Sequence, residues 1–508
     1  MIKTGCTLGV LVMAGMLAAC GSDSSSATVA TSNARGTLIY DPPLRIASLT
    51  AAALQSQLSS TASGQQLAEL AGTPVCGVDF YYEQYWTVDP VGAPATASGA
   101  LMVPTGTAAQ CTGARPIVLY AHGTQTDKAF NIADVSNTAN TEGALIAAVF
   151  AAQGYIVVAT NYTGYDTSSL SYHPFLNGDQ QSKDMIDSLT AARAALPHSF
   201  TPATTDSGQL FVTGYSEGGY VAMATVKALQ AAGTPPAASA PMSGPYALEA
   251  LVDAVFYGNV NIGSTVLSPL LTTSYQRAYG NIYQYTTDVY EPAYAPNIES
   301  LLPSIMPVDT LFQQGKLPET ALFNSTTPVI PGNPLLTAAL AVPTNPVFAA
   351  GFGSPNLVTN DYRLSYVLDA AANPDGAVPV PQPGVPLAAN PQQGLRKATN
   401  LNDMRNGNWV PMSPMLMCGG DQDPTVFFSV DTGTMQAHWA ALPTGLVTVL
   451  DVNAPPTPGD PFAAVQAGFQ QALANLIAAG GPQAAVESYH TTVAPFCTVA
   501  ARGFFSQF

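Results

Sequence analysis

The stretch Gln209-Leu210-Phe211-Val212-Thr213-Gly214-Tyr215-Ser216-Glu217-Gly218-Gly219 decides the fold and the chemistry expected of this chain. A short β-rich apolar segment comes first, a G-x-S-x-G pentapeptide follows, and residues 217–232 have the composition of a helix. A serine at a sharp strand-to-helix turn adopts strained backbone angles, and the flanking glycines let neighbouring segments approach without a Cβ clash. The first helical N–H groups then point toward whatever the hydroxyl attacks. The pattern predicts that Ser216 is a nucleophile; the alternative is a chance loop.

Strands and helices alternate on both sides of this turn. Two β-rich segments, 79–88 and 97–103, precede the alternation and are joined by a Pro- and Gly-containing turn. Alternation of this kind is typical of a mostly parallel sheet with helices on both faces, so the predicted class is α/β. The G-x-S-x-G turn between a strand and a helix resembles the nucleophile turn of α/β-hydrolases and implies an α/β-hydrolase fold. The predicted strands are 116–121, 155–160, 209–213 and 237–242, and the predicted helices are 142–153, 180–195 and 217–232.

The alternation stops after Gly244-Pro245 and returns only near residue 412. The intervening segment is rich in Pro and Gly and has helical patches such as 247–256, which predicts a large, mostly helical cap inserted over the active site. After it we expect a helix at 430–442, a strand at 446–452 and helices at 462–479 and 493–504. The expected organisation is a signal peptide (1–19), a flexible tether (20–43), a first part of the core that begins with a helical segment over 44–72 (44–245), the cap (246–410) and a second part of the core (411–508).

A serine hydroxyl is a weak nucleophile and needs a base, usually a histidine that is oriented by a carboxylate. In α/β-hydrolases the chain order is Ser, acid, His, and only His438 and His490 follow Ser216. His438 falls inside a predicted helix between two strands. His490 falls in a predicted loop after the last strand, where the third member belongs, so His490 is the predicted base.

The acid is expected in Gly419-Gly420-Asp421-Gln422-Asp423-Pro424-Thr425-Val426, directly after a strand. This stretch resembles the G-x-x-D-x-x-V segment that carries the acid in many α/β-hydrolases. Counted from Gly420, the spacing selects Asp423, and Asp421 is the alternative. A polar turn at the strand end, without a catalytic carboxylate, is the remaining interpretation.

Ester or amide attack develops a negative oxygen that needs backbone donors placed in advance. One predicted donor is the N–H of Glu217, directly after the nucleophile. The other is the N–H of Thr124, in the His122-Gly123-Thr124 loop that follows the strand 116–121. We expect His122 to stabilise this loop rather than to transfer protons.

Three stretches together are similar to the secretory lipase family of α/β-hydrolases, the group around fungal lipase A. They are residues 122–124, residues 161–165 with 173–176, and residues 214–219. The likeness spans about 75–245 and resumes from 411; the insert carries no motif that matches. The resemblance implies hydrolysis of carboxylic esters, often lipids, under a cap and without a cofactor, with Ser216, Asp423 and His490 at the triad positions.

The N-terminus predicts export. Lys3 precedes an apolar stretch, Leu8 to Ala19, that is too short to span a membrane. It ends in Leu17-Ala18-Ala19-Cys20, which resembles the bacterial lipoprotein signal box and implies a lipid anchor on Cys20. An ordinary cleaved signal is the alternative. We therefore expect a cell-envelope lipoprotein, in the outer membrane if the source is Gram-negative, or a secreted protein.

Apart from Cys6 and Cys20, the chain has four cysteines, an even number in an exported chain, which indicates disulfide bonds with three possible pairings. They are Cys76, Cys111, Cys418 and Cys497. We favour the pairs Cys76–Cys111 and Cys418–Cys497. In the second pair, Cys418 lies five residues before Asp423 and Cys497 lies seven residues after His490. A bond there would cross-link the segments that carry the acid and the base.

Charge and composition exclude some function classes. The net charge of −17 repels phosphate backbones and argues against nucleic-acid binding, and no Cys/His cluster indicates a metal site. Three functions remain open. The first is a serine carboxylic-ester hydrolase acting on acylglycerols, small esters or polyesters; the second is a peptidase or amidase on the same scaffold; the third is a non-catalytic binding lipoprotein of the cell envelope.

Overall fold

The computed structural model describes residues 28–29, 32–60, 62–137, 140–196, 204–330 and 332–508. The expected signal peptide and Cys20 lie outside these residues. The strands are β1 (Thr28–Val29), β2 (Tyr40–Asp41), β3 (Leu44–Leu49), β4 (Gly77–Val88), β5 (Pro94–Thr105), β6 (Gly113–Ala121), β7 (Ile156–Thr160), β8 (Thr204–Tyr215), β9 (Ala238–Met242), β10 (Phe323–Asn324), β11 (Phe352–Gly353), β12 (Met415–Gly419) and β13 (Val447–Asp451).

Fourteen α-helices occur in the described residues, and none of them is long and apolar enough to cross a membrane. They are α1 (Ala51–Leu58), α2 (Ala62–Ala71), α3 (Thr141–Val149), α4 (Gly178–Ala195), α5 (Glu217–Ala231), α6 (Leu248–Phe256), α7 (Ser264–Tyr279), α8 (Val308–Gln313), α9 (Pro334–Ala339), α10 (Pro346–Ala349), α11 (Asn360–Ala372), α12 (Gly394–Asn402), α13 (Thr432–His438) and α14 (Ala463–Phe505).

Nine of the strands form one sheet in the order β13-β12-β9-β8-β6-β7-β5-β4-β3. The pairs from β13 to β7 are parallel, and the pairs from β7 through β5 and β4 to β3 are antiparallel. Parallel strands are connected by helices that cover both faces of a sheet. The predicted mostly parallel α/β architecture is confirmed.

The side chains of the central strands point alternately to the two faces of the sheet, and each face carries its own apolar cluster. On β6, Leu119 belongs to the apolar cluster under α4 and α5, and Val118 and Tyr120 belong to the cluster that α1, α3 and α14 cover. Successive side chains of a strand point to opposite faces, so a strand buried on both sides is apolar throughout. Full burial of each such aliphatic side chain contributes roughly 1.5–3 kcal/mol.

The expectation of a continuous helical segment over 44–72 was wrong at its start. Residues Leu44–Leu49 form β3, which pairs antiparallel with β4 at the edge of the sheet, and the helix begins only after Thr50. Thr50 caps α1 by accepting a hydrogen bond from the Ala53 N–H at 3.1 Å. Pairing with β4 therefore overrides the helical spacing of the leucines, since it satisfies the backbone groups of the edge.

Residues between β9 and β12 form seven helices, α6 to α12, and a two-stranded parallel pair, β10 with β11. Two fully buried arginines tie this segment together. Arg396 lies 2.9 Å from Asp253 and 3.3 Å from Asp369, which connects α12 with α6 and α11. Arg405 contacts Asp375 and Asp403 at 2.7 and 2.8 Å. The guanidinium groups of Arg396 and Arg405 thus both have carboxylate partners, without which their burial would cost several kcal/mol.

Buried carboxyl groups also lie between β4 and α4. Glu83 is fully buried and accepts one hydrogen bond from Ser188 Oγ at 2.5 Å. Burial raises the pKa of Glu83 to about 8. Burial likewise raises the pKa of Asp184 to about 7, although Asp184 accepts hydrogen bonds from Thr163.

These carboxyls predict that stability falls as pH rises. Between the ordinary pKa of 4.5 and about 8, folded Glu83 keeps a proton that the unfolded chain has released, so unfolding becomes easier with increasing pH. We expect the free energy of unfolding, measured by urea titration, to be lower at pH 8 than at pH 5.5. One such group should change the free energy of unfolding by a few kcal/mol over this pH range, because each unit of pKa difference corresponds to about 1.4 kcal/mol.

The Glu83→Gln variant tests the source of this pH dependence. Glutamine cannot ionise, so the variant should lose part of the difference between the two pH values and be the more stable protein at pH 8. An unchanged pH dependence in the variant would contradict the assignment to Glu83.

Candidate active site

Ser216 lies at the turn between the central strand β8 and helix α5. Its backbone angles are φ 59° and ψ −123°, a region that residues other than glycine rarely adopt. The Ser216 N–H donates to the Met242 carbonyl at the end of β9, at 2.9 Å. The expected strand-to-helix turn is thus present, and a contact with the neighbouring strand holds its strained residue.

Close packing explains the two glycines of the G-x-S-x-G pentapeptide. A Cβ at Gly218 would lie 2.0 Å from the Ala121 carbonyl oxygen, and one at Gly214 would lie 2.3 Å from the Gly218 carbonyl oxygen. Any larger residue would push α5 away from the ends of β6 and β8. The pentapeptide therefore lets the helix begin directly against the sheet.

Three side chains from distant parts of the chain form a continuous hydrogen-bonded row. Ser216 Oγ lies 2.8 Å from His490 Nε2, and His490 Nδ1 lies 2.6 Å from Asp423 Oδ2. Asp423 is 4% exposed and follows β12. Its second oxygen, Oδ1, accepts the N–H groups of Thr425 and Val426 at 2.9 and 3.1 Å.

These contacts select one tautomer of the imidazole. An ionised Asp423 can only accept, so His490 carries its proton on Nδ1 and presents the Nε2 lone pair to the serine hydroxyl. In this arrangement Nε2 can take the hydroxyl proton when the oxygen attacks. The three residues expected from the sequence therefore come together in an order suited to nucleophilic chemistry.

Asp421, the alternative acid, points elsewhere. It is exposed, and its Oδ1 accepts a hydrogen bond from Asn453 Nδ2 at 2.7 Å, beyond the end of β13. The turn after β12 thus directs its two carboxylates to different partners, and only Asp423 meets the imidazole.

His490 does not lie in a loop, as was expected, but within α14. The backbone of this helical run breaks at Gly481, and the run resumes at Pro482. Proline is favoured at a first helical position, because its missing N–H would have no partner there. The expected separation into two helical parts is therefore present at Gly481, but the second part begins at Pro482 instead of near residue 493, and so it includes His490.

Several contacts hold the second part of α14 against the core. The Tyr215 hydroxyl donates to the His490 carbonyl, and the two rings lie 5.0 Å apart between centroids. The Cys418–Cys497 disulfide joins β12 to α14, and Cys497 lies in the same part of that helix as His490, about two turns further along. The structure also contains the Cys76–Cys111 disulfide, so both bonds of the favoured pairing are present.

The two backbone N–H groups expected to face the oxyanion have no acceptor in the described part of the chain. They belong to Thr124, in the loop after β6, and to Glu217, the first residue of α5. The first N–H groups of a helix lack intrahelical partners, so the Glu217 N–H remains available for a ligand. Both residues line the same cavity as Ser216.

The Glu217 side chain, whose role the sequence did not reveal, points into the protein. Its Oε1 lies 2.6 Å from His173 Nε2 and accepts from Gln181 Nε2 at 2.6 Å. All three side chains are buried. His173 and Gln181 thereby hold the first turn of α5 from behind. His173 is among the residues of the sequence that are similar to a known family, but the spacing of the sequence did not indicate that its partner is Glu217.

His122 lies buried among the rings of Phe130, Tyr162 and Tyr165. Burial lowers its pKa to about 4, so the imidazole is neutral near pH 7. Its Nδ1 lies 2.6 Å from the Gly123 carbonyl oxygen. His122 therefore supports the loop after β6.

Ser216 and His490 open onto a cavity of about 1250 Å³. Most of its lining is apolar, and one side is formed by α6 and α7 of the inserted segment. That side includes Leu248, Leu251, Val252, Val255, Phe256 and Leu271. Residues of α2 and of the first half of α14 also line the cavity. Within the described residues, no group of His, Cys, Asp and Glu side chains is arranged to hold a metal ion.

Comparison with known proteins supports the fold. Residues 143–232 match the model of the prolyl oligopeptidase family. The cell wall degrading esterase LipA from Xanthomonas oryzae is similar over 94% of this chain and 100% of its own, at 24% identity and a TM-score of 0.66. A putative hydrolase from Legionella pneumophila is similar over 91% and 96%, at 18% identity and a TM-score of 0.61. No curated protein matches the chain.

These likenesses confirm the predicted α/β-hydrolase fold. Candida antarctica lipase A gives a TM-score of only 0.42 at 12% identity, over 82% of this chain and 76% of its own. The resemblance to the family around fungal lipase A therefore stays a prediction. The family model covers 90 residues, around the nucleophile turn, so it does not assign the whole chain.

Proposed function

We propose that this protein is a serine hydrolase of carboxylic esters that works through an acyl-enzyme. One observation carries the proposal: the Ser216 hydroxyl, His490 and Asp423 form an unbroken hydrogen-bonded row that opens onto a mostly apolar cavity. An ester that enters this cavity meets a nucleophile and a base already aligned.

In the proposed reaction, Ser216 Oγ attacks the ester carbonyl carbon while His490 Nε2 takes the hydroxyl proton. The carbonyl oxygen becomes an anion and accepts from the N–H groups of Thr124 and Glu217. His490 then gives its proton to the departing alkoxide, which leaves as the alcohol, and the acyl group stays on Ser216. Water, deprotonated by His490, then attacks the acyl carbon; the bond to Ser216 Oγ breaks, His490 returns the proton to that oxygen, and the carboxylic acid leaves. Asp423 stabilises the imidazolium in both steps.

The apolar cavity favours substrates with a hydrocarbon part. Side chains of α6 and α7 would remove an acyl chain from water, at about 0.8 kcal/mol for each methylene buried. We propose that residues 246–410 act as a cap that provides this surface, over the core segments 44–245 and 411–508. Acylglycerols, small esters and polyesters all have the required ester group, and the proposed reaction needs no cofactor or metal.

A matched pair of chromogenic substrates tests the proposal. We expect the purified protein to hydrolyse 4-nitrophenyl esters with a kcat/KM at least 10³-fold above that for the 4-nitroanilides of the same acids. A series from acetate to palmitate, soluble and emulsified, should show kcat/KM rising beyond acetate because the cavity is apolar. Turnover of anilides but not of esters would contradict the ester assignment.

A peptidase or amidase is the second candidate, and the match of residues 143–232 to the prolyl oligopeptidase family favours it. The same nucleophile, base and oxyanion donors serve both reactions, since they differ mainly in the leaving group. The anilide arm of the experiment, extended to proline-containing peptide anilides, distinguishes the two.

We further propose that the protein is exported, with a lipid anchor on Cys20 as its link to a membrane. Two disulfide bonds support an oxidising compartment. Intact mass of the protein purified from its host tests the anchor, because an unmodified N-terminus at or beyond residue 20 would contradict it.

A further inference from the structure

Glu142, in the first turn of α3, reaches the loop that follows β6. Its Oε1 accepts hydrogen bonds from the Gly123 N–H at 3.0 Å and from the Tyr120 hydroxyl at 2.7 Å. Its Oε2 lies 3.2 Å from the same Gly123 nitrogen. Asn140 caps α3 by accepting the Gly143 N–H at 3.0 Å, so the start of the helix that carries Glu142 is itself fixed.

Gly123 is held at both of its backbone groups. Glu142 takes its N–H, and His122 Nδ1 donates to its carbonyl oxygen at 2.6 Å. That carbonyl belongs to the same peptide unit as the Thr124 N–H, and in a trans peptide the two groups point in opposite directions. A carbonyl held toward His122 therefore turns the Thr124 N–H the other way.

The held residue lies against the nucleophile. A Cβ at Gly123 would be 3.6 Å from Ser216 Cβ and 3.3 Å from the Tyr215 carbonyl oxygen. Small movements of this loop would thus change the distance between the Thr124 N–H and an oxygen bound at Ser216. Glu142 and Thr124 both line the cavity of the site.

We propose that Glu142 is a positioning residue of the oxyanion hole: by binding the Gly123 N–H it fixes the peptide whose N–H, on Thr124, stabilises the developing oxyanion. The inference rests on the proposed function and adds a residue that the triad and the two donors do not include. Glu142 acts through Gly123 and not by contact with the reacting atoms. The Glu142 carboxyl group also accepts a hydrogen bond from the Tyr120 hydroxyl, and this contact fixes the carboxyl group to the end of β6.

Removal of the contact should displace one donor. Loss of one oxyanion donor costs on the order of 10²–10³ in rate in other enzymes, and displacement costs less than loss. We therefore expect Glu142→Ala to lower kcat by roughly 10–100-fold with KM within about threefold of the wild type. Glu142→Gln keeps a carbonyl acceptor for the Gly123 N–H and should recover most of the activity.

The experiment compares an oxygen ester with the thionoester in which sulfur replaces the carbonyl oxygen. Sulfur is a weak hydrogen-bond acceptor, so the wild type should prefer the oxygen ester, and the preference measures the donors directly. In Glu142→Ala and in Glu142→Asp, whose carboxylate is one methylene shorter, the preference should shrink together with kcat. Asp179→Ala, which removes an exposed carboxylate in α4, outside the cavity lining and the proposed cap, should match the wild type.

Two results would overturn the inference: activity of Glu142→Ala and Glu142→Asp within twofold of the wild type, or equal losses on the oxygen ester and the thionoester. Equal losses would mean that the substitution damages the site as a whole. Ser216→Ala, assayed in parallel, separates this failure from that of the proposed function. If Ser216→Ala is inactive and the Glu142 variants are normal, only the inference fails; if Ser216→Ala keeps its activity, the proposed function fails.

Discussion

Replacement of His490 by alanine is expected to lower kcat for ester hydrolysis by about 10⁶-fold, the size of loss found when the base of a comparable triad is removed. The reason is geometric. His490 Nε2 is 2.8 Å from the Ser216 hydroxyl. Without it, the oxygen must attack as a neutral alcohol and the leaving alkoxide receives no proton. The loss is measured from initial rates on 4-nitrophenyl butyrate, at a variant concentration high enough to detect the remaining activity.

His438→Ala is the matched control for this prediction. His438 is the last residue of α13, and burial lowers its pKa, but it belongs to no part of the proposed machinery. We expect its kcat within twofold of the wild type. A His490→Ala enzyme with more than about 1% of wild-type activity would exclude residue 490 as the base, given the expected size of the effect.

Replacement of Asp423 by asparagine is expected to lower kcat by about 10⁴-fold, with little change in KM. An amide at this position can donate to His490 Nδ1, which would move the imidazole proton to Nε2 and leave no lone pair for the serine hydroxyl. The side chain keeps its size, and its remaining oxygen can still accept the N–H groups of Thr425 and Val426. The loss therefore reports chemistry rather than folding.

Asp421→Asn provides the comparison within the same turn. Its carboxylate is exposed and binds Asn453, so we expect wild-type kcat. The opposite pattern, with full activity in Asp423→Asn and loss in Asp421→Asn, would mean that the turn after β12 rearranges when substrate binds. Steady-state kinetics of the two variants on one ester decides between these outcomes.

The nucleophile turn and the acid could be located from the sequence because their signals are local. Gly214 and Gly218 are required by contacts within a few residues of Ser216 and with the adjoining strand β6, and these requirements leave a readable motif. The turn after β12 is similarly short. Two backbone N–H groups of the same turn donate to the Asp423 carboxylate and thereby set its orientation.

His490 could be selected by its place in the chain order but not by its secondary structure. Tyr489-His490-Thr491-Thr492 has few helix formers, yet the helix restarts at Pro482 and continues through it. Contacts with β8, from the Tyr215 hydroxyl, and the disulfide at Cys497 stabilise this part of α14 from outside. Tertiary packing thus overrides the local preference.

His122 was expected to support the loop after β6, but two other supports of the oxyanion donors could not be predicted: Glu142, which binds Gly123, and His173, which binds Glu217. Glu142 meets Gly123 across 19 residues, and Glu217 meets His173 across 44, with no repeating pattern that relates the two partners. The edge strand β3 was missed for a related reason, since its residues pair with partners on β4 that lie 29 to 38 residues further along the chain. Such contacts become visible only when the sheet brings the segments together.

Covalent labelling of Ser216 tests the account most directly. A fluorophosphonate reacts with a serine hydroxyl only where a base and oxyanion donors activate it, so one adduct should form per molecule and map by mass spectrometry to the peptide that contains Ser216. The adduct should be absent in Ser216→Ala and retained in Ser207→Ala, which removes an exposed serine hydroxyl. An unlabelled wild type, or an adduct that persists in Ser216→Ala, would contradict the proposed chemistry.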